Sequence, residues 1–199
     1  MHNLGASRHP DTLDLKSIIC NDIAVAYQGI GENQKARTFF MQSIAFTKER
    51  INKTGIWDAQ NNYDMASLYR NLAIFEATMG NHEQSQTYMN TAESFYLKLK
   101  AELSEDEYRS IMTYFYETNF VRYYHSEEYE LADVAIKKSI GLSKSLPIEN
   151  QLRLQRLLVE LRNAEGRLEE AENLGRHLLA EVDQKADPIM INDHQFVHT

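Results

Sequence analysis

Residues 20–46 read CNDIAVAYQGIGENQKARTFFMQSIAF, and the fold follows from how this stretch is read. Ala24, Ala26 and Tyr27 share a helical face with Ile23 beside them, while Ala36, Phe39, Phe40, Ser43 and Ile44 make the inward face of a second helix. Gly31, between them, supplies the left-handed helix end that a short reversal needs. Small residues at the crossing let two antiparallel helices approach closely, and an aromatic ring from the partner fills the hollow that remains.

The same spacing returns along the chain. The steps +3, +4, +5, +4, +3 that link Ala24, Tyr27, Gly31, Ala36, Phe40 and Ser43 also link Ala73, Glu76, Gly80, Ser85, Met89 and Ala92. They link Phe120, Tyr123, Glu127, Ala132, Ile136 and Ser139, and again Val159, Arg162, Gly166, Ala171, Gly175 and Leu178. The last set has Arg162 and Gly175 where an aromatic is expected. This pattern resembles the tetratricopeptide repeat (TPR): a small residue and a Tyr in one helix, a Gly turn, then Ala, Phe and Ala in the next. The resemblance covers roughly residues 13–185. It implies an all-α fold, a right-handed α-solenoid of four antiparallel helix pairs. The turns stand 49, 47 and 39 residues apart (Gly31, Gly80, Glu127, Gly166), against about 34 in the usual repeat. Stretched repeats of this kind are similar to those of bacterial signalling and peptide-sensing regulators.

Composition agrees. Three Pro and eight Gly in 199 residues favour helix nearly throughout, and 43% hydrophobic residues suffice for a core if stacking makes it continuous. A net charge of −8 and a pI near 5.4 argue against direct binding to nucleic acid or to an anionic membrane. The single cysteine, Cys20, cannot form an internal disulfide and reads as a small buried hydrophobe. No secretory pattern opens the sequence and no apolar run is long enough to span a bilayer, so the sequence reads as that of a cytoplasmic protein.

In chain order, residues 1–10 read as a frayed lead, and Asp11 is placed as the cap of a first helix running to about Ile30. The array is expected over residues 11–186, with repeats at about 13–52, 59–101, 105–146 and 149–185. Trp57 reads as an aromatic staple at the first joint. Ser104 and Glu107 form a capping box that opens the fifth helix. That helix carries IMTYFYETNFVRYY, whose rings cannot all point one way, so some are expected at a groove or a neighbouring molecule. Asp187-Pro188 is expected to end the last helix. The tail 187–199 is fairly apolar where an array normally closes with a polar face. It suggests either the start of a further repeat, near Asn192, or an open end covered by self-association, with homodimer formation through exposed repeat ends as one outcome.

Signatures of chemistry are lacking. There is no Gly-rich phosphate loop, HExxH, paired-Cys motif or nucleophile elbow, so neither catalysis nor a cofactor is expected. His194 and His198 have an i, i+4 spacing, but without a third ligand they give no metal site. The TPR resemblance instead implies a protein- or peptide-binding groove lined by the first helix of each repeat. Carried onto this sequence, its partner-binding residues are Asn21 and Gln28, Arg70 and Asn71, Tyr114, Thr118 and Tyr124, and Arg153 and Arg156. Amide side chains there can bond both N–H and C=O of an extended peptide. The arginines favour a carboxylate-bearing ligand if they stand unpaired; pairing with neighbouring acids, such as Arg156 with Glu160, cancels that preference. A co-chaperone clamp needs Lys and Asn one turn apart in the first repeat and Lys and Arg one turn apart in the third, where Asn21 and Val25, then Tyr114 and Thr118, stand instead, which disfavours that role. A structural scaffold that self-associates through its open repeat ends is the alternative to the peptide-binding module.

Overall fold

The computed structural model describes the backbone of residues 10–193 and the side chains of residues 12–183. Eight α-helices follow one another: α1 (Pro10–Gly29), α2 (Asn33–Thr54), α3 (Ala59–Thr78), α4 (His82–Lys98), α5 (Glu105–His125), α6 (Tyr129–Leu142), α7 (Ile148–Ala164) and α8 (Leu168–Asp193). Single 3-10 turns extend α4 and α6. Among the described residues there is no strand. The chain divides into two compact units, residues 1–108 and 109–199, with the division inside α5.

Two boundaries differ from expectation. Helix α1 opens at Pro10 and not after an Asp11 cap, because proline's missing N–H and fixed φ suit the first helical turn, where no intrahelical bond is lost. At the other end α8 runs through Asp187-Pro188 to Asp193. A proline forfeits one backbone bond and crowds the preceding turn, yet the helix continues past it. Residues 194–199, and with them His194 and His198, lie outside the described residues.

Each pair is closed by one and the same turn. Gly31 N–H donates to Gln28 C=O and Glu32 N–H to Tyr27 C=O, and the pattern repeats at Gly80/Asn81, Glu127/Glu128 and Gly166/Arg167. These are Schellman turns, which satisfy the last carbonyls of the outgoing helix through one residue in the left-handed region. Three of the four are glycines at φ 78°, 74° and 76°; the fourth is Glu127 at φ 59°.

In the unit of residues 1–108, Ala24, Ala36, Phe40, Ile44, Leu72 and Phe75 form a buried core across α1, α2 and α3. Phe40 and Phe75 meet at 5.5 Å between ring centroids. Ser43 stands at the closest approach of α1 and α2, its hydroxyl donating to Ser17 C=O at 2.8 Å while Ser17 and Thr47 bond at 2.7 Å. Trp57 rests on Phe95 at 5.9 Å and donates its indole N–H to Asn62, so it staples the joint while leaving half its surface in solvent. Cys20 is buried, and burial raises its thiol pKa, which keeps it protonated. The capping box of α5 forms as expected: Ser104 N–H donates to the Glu107 carboxylate and Glu107 N–H to the Ser104 hydroxyl. These Ser104 bonds lower the pKa of Glu107.

In the unit of residues 109–199, Phe120, Ala132, Ile136, Leu154 and Leu161 make the core. Ser139 repeats the role of Ser43, donating to Thr113 C=O at 2.9 Å. In each case donor and acceptor stand 26 residues apart.

Candidate protein-binding face

In the first unit the helix-to-helix register brings α1 alongside α3. Asn71 donates its amide N–H to Asn21 Oδ1 at 3.0 Å, and Gln28 donates to the Thr78 hydroxyl at 3.5 Å. Arg70 points its guanidinium at the Tyr96 hydroxyl, 3.2 Å away, and at Asn71 Oδ1. All four sequence-expected residues of this unit therefore lie on α1 and α3, with Asn21 and Asn71 in direct contact. Each Asn retains donor or acceptor capacity beyond that one bond.

Beside this amide pair lies a cavity of about 330 Å³ whose wall includes Ser17, Asn21, Thr47, Ser67 and Asn71. Arg50 of α2 also lines it, held by Asp14 at 2.9 Å and by Asp64 at 2.6 Å and donating to Asn61. Sequence reasoning missed this triad. Asp14, Arg50 and Asp64 belong to three helices and are far apart in sequence, so no local spacing announces them.

In the second unit α5 and α7 carry the remaining five. Arg153 of α7 grips Glu117 of α5 with both terminal nitrogens, one of them at 2.9 Å from Oε2. Hydrogen bonding to Glu117 outweighs desolvation and raises the Arg153 pKa. Arg156 pairs with Glu160 one turn along its own helix. Of the two alternatives for the arginines, the paired one is therefore found for both. Tyr114 is exposed, and Thr118 donates to its carbonyl. Tyr124 is turned against Phe120 and Tyr129 at the α5/α6 turn, packing on the core of its own pair.

Among the described residues no group of three or more His, Cys, Asp and Glu is placed to hold a metal ion. Within the same residues no helix is long and apolar enough to cross a membrane.

No family model and no curated protein matches the sequence. Solved structures do. A crystal structure from Podosopora anserina, described as nearly identical TPR-like repeats of a putative kinesin light chain, superposes with a TM-score of 0.60 at 18% identity. The match covers 92% of this chain and 80% of that one. A variant form of the same repeats, carrying a glutamine-to-methionine substitution, gives a TM-score of 0.60 at 17% identity over 93% and 81%. At such identities the likeness speaks for the fold alone. With the repeated Schellman turns, the helix pairs and the recurrent small residues at their crossings, it establishes that the chain has the TPR-like repeat fold.

Proposed function

We propose that the chain is a non-catalytic module that binds an extended peptide or an exposed segment of a partner protein. The observation that carries this reading is the Asn21–Asn71 amide pair, which spans α1 and α3 and lines the cavity between them. A peptide bond presents one donor and one acceptor, and an amide side chain, with its separate N–H and C=O, can answer both at once. Two such amides on adjacent helices can exchange their mutual bond for bonds to a peptide backbone at little net cost. Gln28 and Arg70 extend the same face. In the second unit Tyr114, Thr118, Arg153 and Arg156 supply its counterpart, and Tyr124 contributes through the packing beneath. The stretched repeat spacing supports a role in a cytoplasmic signalling or regulatory protein of bacterial type.

The test is fluorescence anisotropy with a labelled pool of unstructured peptides, comparing the parent with the Asn21→Ala, Asn71→Ala double variant. Both positions are partly open to solvent, so the fold survives the change. The double variant is expected to bind about tenfold more weakly, the loss of one or two net hydrogen bonds. Unchanged affinity would remove the amide pair from the site.

A further inference from the structure

The internal joints of the array show which side chains join one repeat to the next. In α3 they are Leu68, Leu72 and Phe75, packed with Phe40 and Ile44 of α2; in α7 they are Leu154, Leu158 and Leu161, packed with Ile136 and Ile140 of α6. Counted from the turn glycines, the corresponding positions of α1 are Ile19, Ile23 and Ala26. These are apolar as well, yet Ile19 is 46% exposed and Ala26 is exposed, with Leu15 and Ile30 continuing the stripe in solvent. Among the described residues no helix covers this surface of α1.

The other half of the joint stands open on α8. The position of Phe40 and Ile136 is Gly175 in α8, and that of Ile44 and Ile140 is Leu179, which is 66% exposed, with Val182 about one turn on at 41%. We infer that the α1 stripe docks on the α8 face of a second copy of this chain, head to tail, repeating the joint that α2 makes with α3 and α6 with α7. Both halves of the joint occur on one chain, in the register that the internal joints already use, and this singles out a second copy as the occupant. The charges agree. Where Arg37 meets Glu76 and Asp133 meets Arg162 inside the chain, the new joint sets Glu172 against the hydroxyl-bearing Tyr27, a donor for the carboxylate and no like charge. Such an interface joins two different surfaces, so it builds a ring where the rotation between copies closes and an open chain where it does not. This inference is independent of the peptide-binding reading.

Sedimentation velocity on the full chain tests it. The parent's mean mass should rise above that of the monomer between about micromolar and submillimolar concentration. Ile19→Asp blocks the head and Leu179→Asp the tail, and each variant alone should remain monomeric. Mixed, they should form a one-to-one dimer and nothing larger, since only one open head and one open tail remain. Leu15→Lys and Val182→Lys should reproduce the result, and circular dichroism establishes that each variant is folded. A parent that stays monomeric throughout, or a tail-blocked variant that still self-associates, would overturn the proposal.

Discussion

Arg162 of α7 reaches back to Asp133 of α6, and at the matching positions of the first unit Glu76 of α3 receives Arg37 of α2, the same joint with its charges exchanged. Arg37 directly follows Ala36 and Asp133 directly follows Ala132, so the two pairs occupy one register. Tyr27 and Tyr123 hold the corresponding position in the other two repeats. A ring there needs no ionic partner. A charged residue does, and the preceding helix supplies it.

Glu76 is 2% exposed and has Asn81 as its other partner, at 2.7 Å. Arg37 is itself half-exposed and Asn81 remains, so Arg37→Ala is expected to cost about 2 kcal/mol, the loss of one charged hydrogen bond to a buried carboxylate. Adding Glu76→Gln removes the buried charge, so the double variant should be more stable than Arg37→Ala alone. Urea denaturation of the single and double variants decides the point, and simple additivity would show that the pair is not coupled.

Asp133 makes the second pair sensitive to pH. Burial pushes its carboxyl pKa upward, but hydrogen bonds from Lys137 and Arg162, with their charges, outweigh burial and leave it below the ordinary value. A carboxyl whose pKa is lowered by folding stabilises the native state above its unfolded pKa, about 3.9, and that contribution is lost as pH falls through the folded value. Asp133→Asn should accordingly flatten the decline in stability below pH of about 4 relative to the parent. Parallel declines in both proteins would dissociate Asp133 from acid unfolding.

Glu127 occupies a turn position that glycine holds in the other three repeats, and it does so at φ 59°. A side chain in the left-handed region costs roughly 1 kcal/mol that glycine avoids. Glu127→Gly should raise stability by somewhat less, about 0.5 kcal/mol, because glycine also loosens the unfolded chain. A lowered melting temperature would mean that the Glu127 side chain contributes more than its backbone strain costs.

The helix pairs and their turns were legible in the sequence because both are local. The steps through Ala24, Tyr27, Gly31, Ala36 and Phe40 encode a face, a reversal and a second face within one window. Even Glu127 could be placed, since its register identified it as a turn residue despite its chemistry. The Ser104–Glu107 box was legible for the same reason. What the sequence concealed were the partners across helices. Glu117 stands 36 residues from Arg153, Asp133 stands 29 from Arg162, and the Asp14–Arg50–Asp64 group spans three helices, so no periodicity links them. Pro188 misled for the opposite reason, a strong local signal that the last helix overrides.

Ala36 and Ala132 are fully buried at the crossings of the first and third pairs. Replacing either by Leu adds three carbons where a neighbouring helix already sits, and about 1–3 kcal/mol of overpacking is expected. Thermal melts of the two variants should fall together, since the positions are equivalent. A loss at one alone would break the equivalence of the two repeats.

The pairing of the arginines sets the charge preference of the proposed binding face. Arg153 is held by both oxygens of Glu117, and Arg156 by Glu160, so their fields are largely cancelled before a ligand arrives. A carboxylate approaching Arg153 would have to displace Glu117 from a bidentate bond, gaining one ion pair at the loss of another. Acidic and neutral peptides of equal length are therefore expected to bind with affinities within about threefold of each other, a difference below 1 kcal/mol. Added salt should change that ratio little, because the charges of Arg153 and Arg156 are already matched by Glu117 and Glu160. Glu117→Gln provides the converse: with its acid partner neutralised, Arg153 can attract a carboxylate, and acidic peptides should gain over neutral ones. Isothermal titration of both peptides into parent and variant distinguishes the cases. A strong acidic preference already present in the parent, lost on raising the salt, would show that Arg153 exchanges Glu117 for ligand and that the ion pair is a latch on the site.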